Sequence, residues 1–165
     1  MRLVICGFDT SREDQAGLLN HRVWIESITI LHMDESQPSL YELIGGETGV
    51  RKLVDRFYDL MDSSPEAVRV RAIHPQDLNQ SREKLFMFLS GWSGGPALYV
   101  ERFGQPRLRQ RHMPFPIGKA EHDEWLWCMN KALDESPFDA QVIEYIKRRF
   151  VEIANSMQNR IDVDL

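Results

Sequence analysis

The chain has 165 residues, of which 42% are hydrophobic and 10% aromatic, so it carries enough apolar material for one core and one domain. Its formal net charge of −5 excludes nucleic-acid or membrane-surface binding driven by overall basicity. Two distant cysteines, Cys6 and Cys128, without CxxC spacing, fit free thiols in a reducing compartment; no apolar run is long enough to span a membrane.

Residues 1–38 lack the regularity of the rest of the chain. Leu3 to Cys6 is too short an apolar stretch for a secretory signal, and a cytoplasmic location is expected. Gly7 to Asn20 is mostly polar. Val23, Ile25, Ile28 and Ile30 form a β-branched cluster compatible with a strand, a short helix or an unfolded tail. This arm is read as an N-terminal extension of unknown role, and residues 39–165 as the folded domain.

From Ser39 the signals are helical. Ser39-Leu40-Tyr41-Glu42 has capping-box spacing, and Gly45-Gly46 ends that short helix. Val50, Leu53, Val54, Phe57, Leu60 and Met61 recur at three- and four-residue intervals, which predicts an amphipathic helix. Ser64-Pro65-Glu66 predicts another helix start, interrupted at His74-Pro75. Asn79 is placed as the cap of a helix with a buried stripe of Leu85, Phe88, Leu89 and Trp92, stopped by Gly94-Gly95-Pro96. Gly94 to Gly118 reads as loop-rich and ends in a short helix carrying His112. A long helix comes next, marked by His122, Trp125, Leu126, Met129 and Leu133. Ser136-Pro137 is placed at the start of the last helix, whose inner face holds Val142, Ile143, Ile146, Phe150, Ile153, Ala154 and Met157. The domain is expected to be all-α. A loop-rich segment of that length is unusual in a plain helical bundle and points to a functional role.

The candidate chemistry centres on His112. It closes Pro106-Arg107-Leu108-Arg109-Gln110-Arg111-His112, and Pro114 and Pro116 come at once after it. Prolines lack amide hydrogens and pin φ, so the helix must stop there, with the imidazole on its last turn beside three arginines. One reading is a histidine stabilised by a helix C-terminus. The other is an axial ligand of haem iron, with guanidinium groups for the propionates. Tyr58, Trp125 and His74 each admit a packing role or a polar role in a pocket, and Leu85 and Phe88 are core or cofactor contacts. A haem-free helical interaction or sensor module therefore stays open on these residues alone. A metal site from His74, His112 and His122 lacks close ligand spacing.

Arg56-Phe57-Tyr58, Met87-Phe88-Leu89, Gly94-Gly95-Pro96, the run Pro106 to Phe115, and Trp125-Leu126-Trp127-Cys128-Met129 occur in an order and at spacings that resemble a group II truncated haemoglobin. The resemblance spans roughly residues 40–158 and rests most on Pro-Arg-Leu-Arg-x-Arg-His-x-Pro-Phe. It implies a two-over-two helical sandwich with an N-terminal extension, holding one haem b with His112 as the proximal iron ligand. It places Tyr58, His74 and Trp125 on the distal side, Ser81 at the distal gate and Leu85 over the haem. Lys84, Tyr99, Arg109 and Arg111 match positions near the propionates, and Phe88, Leu108 and Phe115 line the slot. The arm and the polar Ser81 depart from the family's minimal pattern.

The resemblance implies reversible binding of dioxygen and of NO or CO. Each neutral donor aimed at a bound ligand contributes about 0.5–1.5 kcal/mol, so several together favour retention over delivery. That argues for redox chemistry on oxygen, NO or peroxide, of the NO dioxygenase or peroxidase-like kind. No flavin or nicotinamide motif is present, so electrons are expected from a separate reductase. A monomer and a homodimer are equally compatible with the sequence.

Overall fold

A capping box opens the described part of the chain, which in the computed structural model comprises residues 37–160. Ser39 Oγ accepts the Glu42 N–H at 3.2 Å, and the Glu42 carboxylate accepts the Ser39 N–H at 2.7 Å. These bonds start α1 (Leu40–Leu43). Gly45, at φ 84°, takes the left-handed conformation that turns the chain into α2 (Gly46–Ser63). The β-branched cluster at Val23–Ile30 and nearly all of the arm lie outside the described residues.

Pro65 begins a 3-10 turn (Pro65–Ala67) that runs into α3 (Val68–Ala72). Then come α4 (Asn79–Trp92), α5 (Leu98–Phe103), α6 (Leu108–His112), α7 (Lys119–Asp134) and α8 (Ala140–Met157). All the regular structure among the described residues is helical. α2 packs on α4, α7 packs on α8, and α2 lies against α7, which makes two helix pairs one over the other.

The α2 stripe is the one the sequence predicts: Val50, Leu53, Val54, Phe57, Leu60 and Met61 are all buried. They meet Met129 and Leu133 of α7 and Ile146 and Phe150 of α8 in one cluster. Burying each such side chain is worth about 1.5–3 kcal/mol, so this cluster is the main source of stability. Cys128 of α7 is a free thiol in the same core.

Several expectations are corrected. The fully buried residues of α4 are Phe86, Met87, Leu89 and Ser90, while Leu85, Phe88 and Trp92 are only half-buried. Asn79 is already helical and does not cap α4; Leu78 stands at the N-cap, and the Asp77 carboxylate before it accepts the Asn79 N–H at 2.9 Å. The stretch after Gly94 holds a second short helix, α5, in addition to the one carrying His112. Ser136 does not start α8. Its hydroxyl donates to the Leu133 carbonyl at 2.6 Å and closes α7, and Asp139 caps α8 by accepting the Gln141 N–H at 2.8 Å.

Candidate functional site

α6 is only five residues long, and its geometry is set by its ends. Arg107 enters it at φ 43°, the one non-glycine residue with positive φ among those described. Met113-Pro114 prevents its continuation. His112 therefore sits on the last turn, and its Nδ1 donates to the Leu108 carbonyl at 2.7 Å. In the neutral ring that bond puts the proton on Nδ1 and leaves Nε2 with a lone pair.

His112 borders a cavity of about 480 Å³. Cofactor pockets run to roughly 300–1,000 Å³, so the space is of ligand size. α6 and the turn after it contribute Leu108, Arg111, His112 and Phe115; α2 contributes Tyr58; α4 contributes Ser81, Lys84, Leu85 and Phe88. Trp125 comes from α7, Tyr99 from α5, and His74 from the corner after α3. The structure thus brings nearly all the predicted site residues to one space. Arg109 is the exception. It turns away to donate to the carbonyls of Ser156 at 2.5 Å and Gln158 at 3.3 Å.

Each polar group is held by an identifiable contact. Tyr58 is buried, and burial raises its pKa well above the ordinary phenol value, with the Ser81 side chain and the Arg82 charge opposing. Its ring lies edge-on to Phe57 at 4.8 Å and to His74 at 6.0 Å. The Trp125 ring is fixed between Phe57 at 5.3 Å and Phe150 at 5.8 Å. His74 Nδ1 donates to the Val70 carbonyl at 2.7 Å. Arg111 donates from Nε to the Pro106 carbonyl at 3.0 Å and from Nη2 to the Phe103 carbonyl at 3.2 Å. Lys84 also borders the cavity, so its lining carries two cations; the one carboxylate there, Glu121, is engaged by the Gly118 N–H at 2.9 Å.

Sequence reasoning missed three features. Ile153, Ala154 and Met157 of α8, read as core, also line the cavity. Glu124, one residue before Trp125, accepts the N–H groups of Arg69 and Val70 at 2.7 and 2.8 Å. That carboxylate anchors α3, and through the Val70 carbonyl it places His74. Asn159 bonds the turn after His112, 47 residues away in sequence. No local signal announces either long-range bond. His122 borders the cavity too, but its ring nitrogens face Asp123 at 2.8 Å and Asn155 at 3.0 Å. Both nitrogens of His122 are thus engaged by neighbouring side chains.

Burial is the main cause that lowers the His74 pKa below its ordinary 6.5, with Arg71 and His112 adding to it and the Val70 carbonyl opposing. A depressed histidine pKa means that the unfolded chain binds the proton more readily. The fold is therefore unaffected above pH 6.5 and loses stability as pH falls below that value. In the haem-free chain, melting temperature is expected to fall more steeply below pH 6.5 for the wild type than for His74→Phe. Equal slopes in the two proteins would rule this out.

The chain matches the bacterial-like globin family across residues 39–159. It is 37% identical over 132 residues to the group 2 truncated hemoglobin YjbI of Bacillus subtilis, covering 80% of this chain and 97% of that one. It is 30% identical over 126 residues to two-on-two hemoglobin-3 of Arabidopsis thaliana, covering 76% and 69%. Among solved structures, the group II 2-on-2 hemoglobin of Agrobacterium tumefaciens superposes with a TM-score of 0.75 at 48% identity, over 79% of this chain and all of that one (100%). The cold-adapted truncated hemoglobin of Pseudoalteromonas haloplanktis gives 0.73 at 41% identity, over 74% and 99%. The truncated oxygen-avid haemoglobin of Bacillus subtilis gives 0.68 at 38% identity, over 74% and 100%. With its helices in two stacked pairs and a proline-stopped histidine helix facing a cofactor-sized cavity, the chain belongs to the bacterial-like globin family, as a group II truncated haemoglobin.

Proposed function

We propose that the cavity would hold one haem b, with His112 Nε2 supplying the lone pair to its iron, and that the protein retains small diatomic ligands there. The observation that carries this is the His112 imidazole itself: Nδ1 is committed to the Leu108 carbonyl, and the ring borders a cavity with apolar walls and a cationic edge. A flat apolar ring with two carboxylates suits that donor set. Leu85, Phe88, Leu108 and Phe115 form apolar wall, and Lys84 and Arg111 are the cations for the carboxylates. Arg109, tied to the end of α8, has no part in that pairing. When bound, haem supplies an iron that takes up dioxygen, NO or CO.

The polar work falls to α2, α4 and α7. Tyr58 and Trp125 each bring a donor hydrogen to the cavity, and both rings are clamped by aromatic neighbours. Ser81 lines the same cavity as Tyr58. Burial keeps His74 predominantly neutral near pH 7, a polar ring rather than a charge. Donors fixed in advance lose little on binding a ligand, which favours slow release over delivery. The Bacillus subtilis relative described as oxygen-avid supports the same reading. Slow release suits redox chemistry on oxygen, NO or peroxide, with electrons from a separate reductase.

The test begins with purified protein supplied with haem. A sharp Soret band and a 1:1 haemochromogen yield are expected; their absence would leave a haem-free helical module. Oxygen dissociation is then compared in Tyr58→Phe, Trp125→Phe and the double variant. Each lost donor should cost roughly 0.5–1.5 kcal/mol, which is about a 2- to 13-fold faster release. Carbon monoxide, a poorer hydrogen-bond acceptor, should respond much less. Two donors sharing one ligand should also show non-additive losses. Oxygen release unchanged in all three variants would reduce Tyr58 and Trp125 to packing residues.

A further inference from the structure

We infer that Asn159 is the positioning residue for His112, and that the chain just beyond α8 works as a strap fixing the axial imidazole relative to the cavity. This rests on the haem reading of His112. The starting point is a deficit: α6 has no buried residue. The turn after it exposes Met113 by 50% and Phe115 by 43%. Apolar packing against the rest of the protein therefore contributes little to holding this helix in place. The bond from His112 Nδ1 to the Leu108 carbonyl orients the ring within α6, but it does not orient α6 against the rest of the molecule.

Hydrogen bonds from the end of the chain do that. Asn159 Nδ2 donates to the carbonyl of His112 itself at 3.2 Å and to that of Phe115 at 2.9 Å. Its Oδ1 accepts the Ile117 N–H at 3.1 Å. The amide therefore uses both kinds of atom, and only this orientation suits two carbonyls and one N–H. The backbone N–H groups of Asn159 and Arg160 both donate to the Ile117 carbonyl, at 2.9 and 3.1 Å. Arg109 adds a second tie from α6, to the carbonyls of Ser156 and Gln158. α8 itself lines the cavity through Ile153, Ala154 and Met157. The strap thus references the imidazole to a helix that forms part of the cavity wall.

The test uses the full chain reconstituted with haem, as wild type, Asn159→Ala and Asn159→Asp. Asp keeps an acceptor for the Ile117 N–H and loses both donors, so it serves if the Ala variant does not fold. Two readouts are followed besides the melting temperature: haem transfer to an excess of a haem-scavenging apoprotein, and the iron–histidine stretching band of the ferrous protein by resonance Raman. Losing the strap should speed haem release roughly three- to tenfold. It should also shift or broaden the stretching band. A lower melting temperature with haem release and the band both unchanged would make Asn159 a stabilising residue only and overturn the proposal. Failure of the wild type to take up haem would be seen separately, as a missing Soret band, and would remove the haem reading together with the strap.

Discussion

His112→Ala is expected to yield a folded chain that no longer retains haem, or that retains it only with added imidazole. The fold should survive because His112 lies on a helix with no buried residue, outside the cluster built on Phe57, Met129 and Phe150. Haem retention should not, because the axial bond would be lost. The other two cavity histidines serve as controls. His122 has both nitrogens engaged by Asp123 and Asn155, and His74 is pinned to Val70 beside Tyr58. His122→Ala and His74→Ala should both keep the Soret band. Haem binds only the folded form, so at a hundredfold excess over Kd it should stabilise the wild type by about 2.7 kcal/mol and raise its melting temperature. The His112→Ala protein should show no such gap. A normal Soret band in His112→Ala, with loss of the band in His122→Ala or His74→Ala, would reassign the axial ligand.

The second large effect concerns stability. Gly49 stands one turn into α2, where a Cβ would lie 1.6 Å from the Ile44 carbonyl oxygen and 2.7 Å from its carbon. Both atoms are backbone, so no side chain can swing aside. Gly49→Ala must push α1 away from α2 and disturb Ile44 and Val50, both of which are core residues. Overpacking a core usually costs about 1–3 kcal/mol, and a fixed backbone obstacle puts this case at the upper end or beyond. The melting temperature should drop on the order of 10 °C. A Gly49→Ala protein melting within about 2 °C of the wild type would show that the α1–α2 junction yields easily.

The contrast between α2 and α4 shows what is legible in the sequence. α2 has one apolar face turned to the core, so a single period of three and four residues picks it out. α4 has two apolar faces. Phe86 and Met87 turn to the core, Leu85 and Phe88 turn to the cavity, and Leu89 is buried between the two. Hydrophobicity cannot distinguish packing against protein from lining a ligand space, and so periodicity finds Leu89 but puts Leu85 and Phe88 in the core with it. The helix carrying His112 is legible because proline chemistry is local. Arg109 and Asn159 are not, because their partners lie more than forty residues away. The residue type gives each a plausible role, and only the tertiary fold decides it.

Cys128 bears on the source of electrons. Its thiol is buried in the core of α7, three residues from Trp125, and burial pushes its pKa up to about 12. A thiol gives up electrons readily as the thiolate, and at pH 7 almost none of Cys128 is in that form. It is therefore a poor internal reductant and a poor target for oxidants that escape the cavity. Keeping that sulfur protonated and buried guards the core of α7 against oxidation. Treatment with peroxide should accordingly leave Cys128 unmodified while the fold is intact.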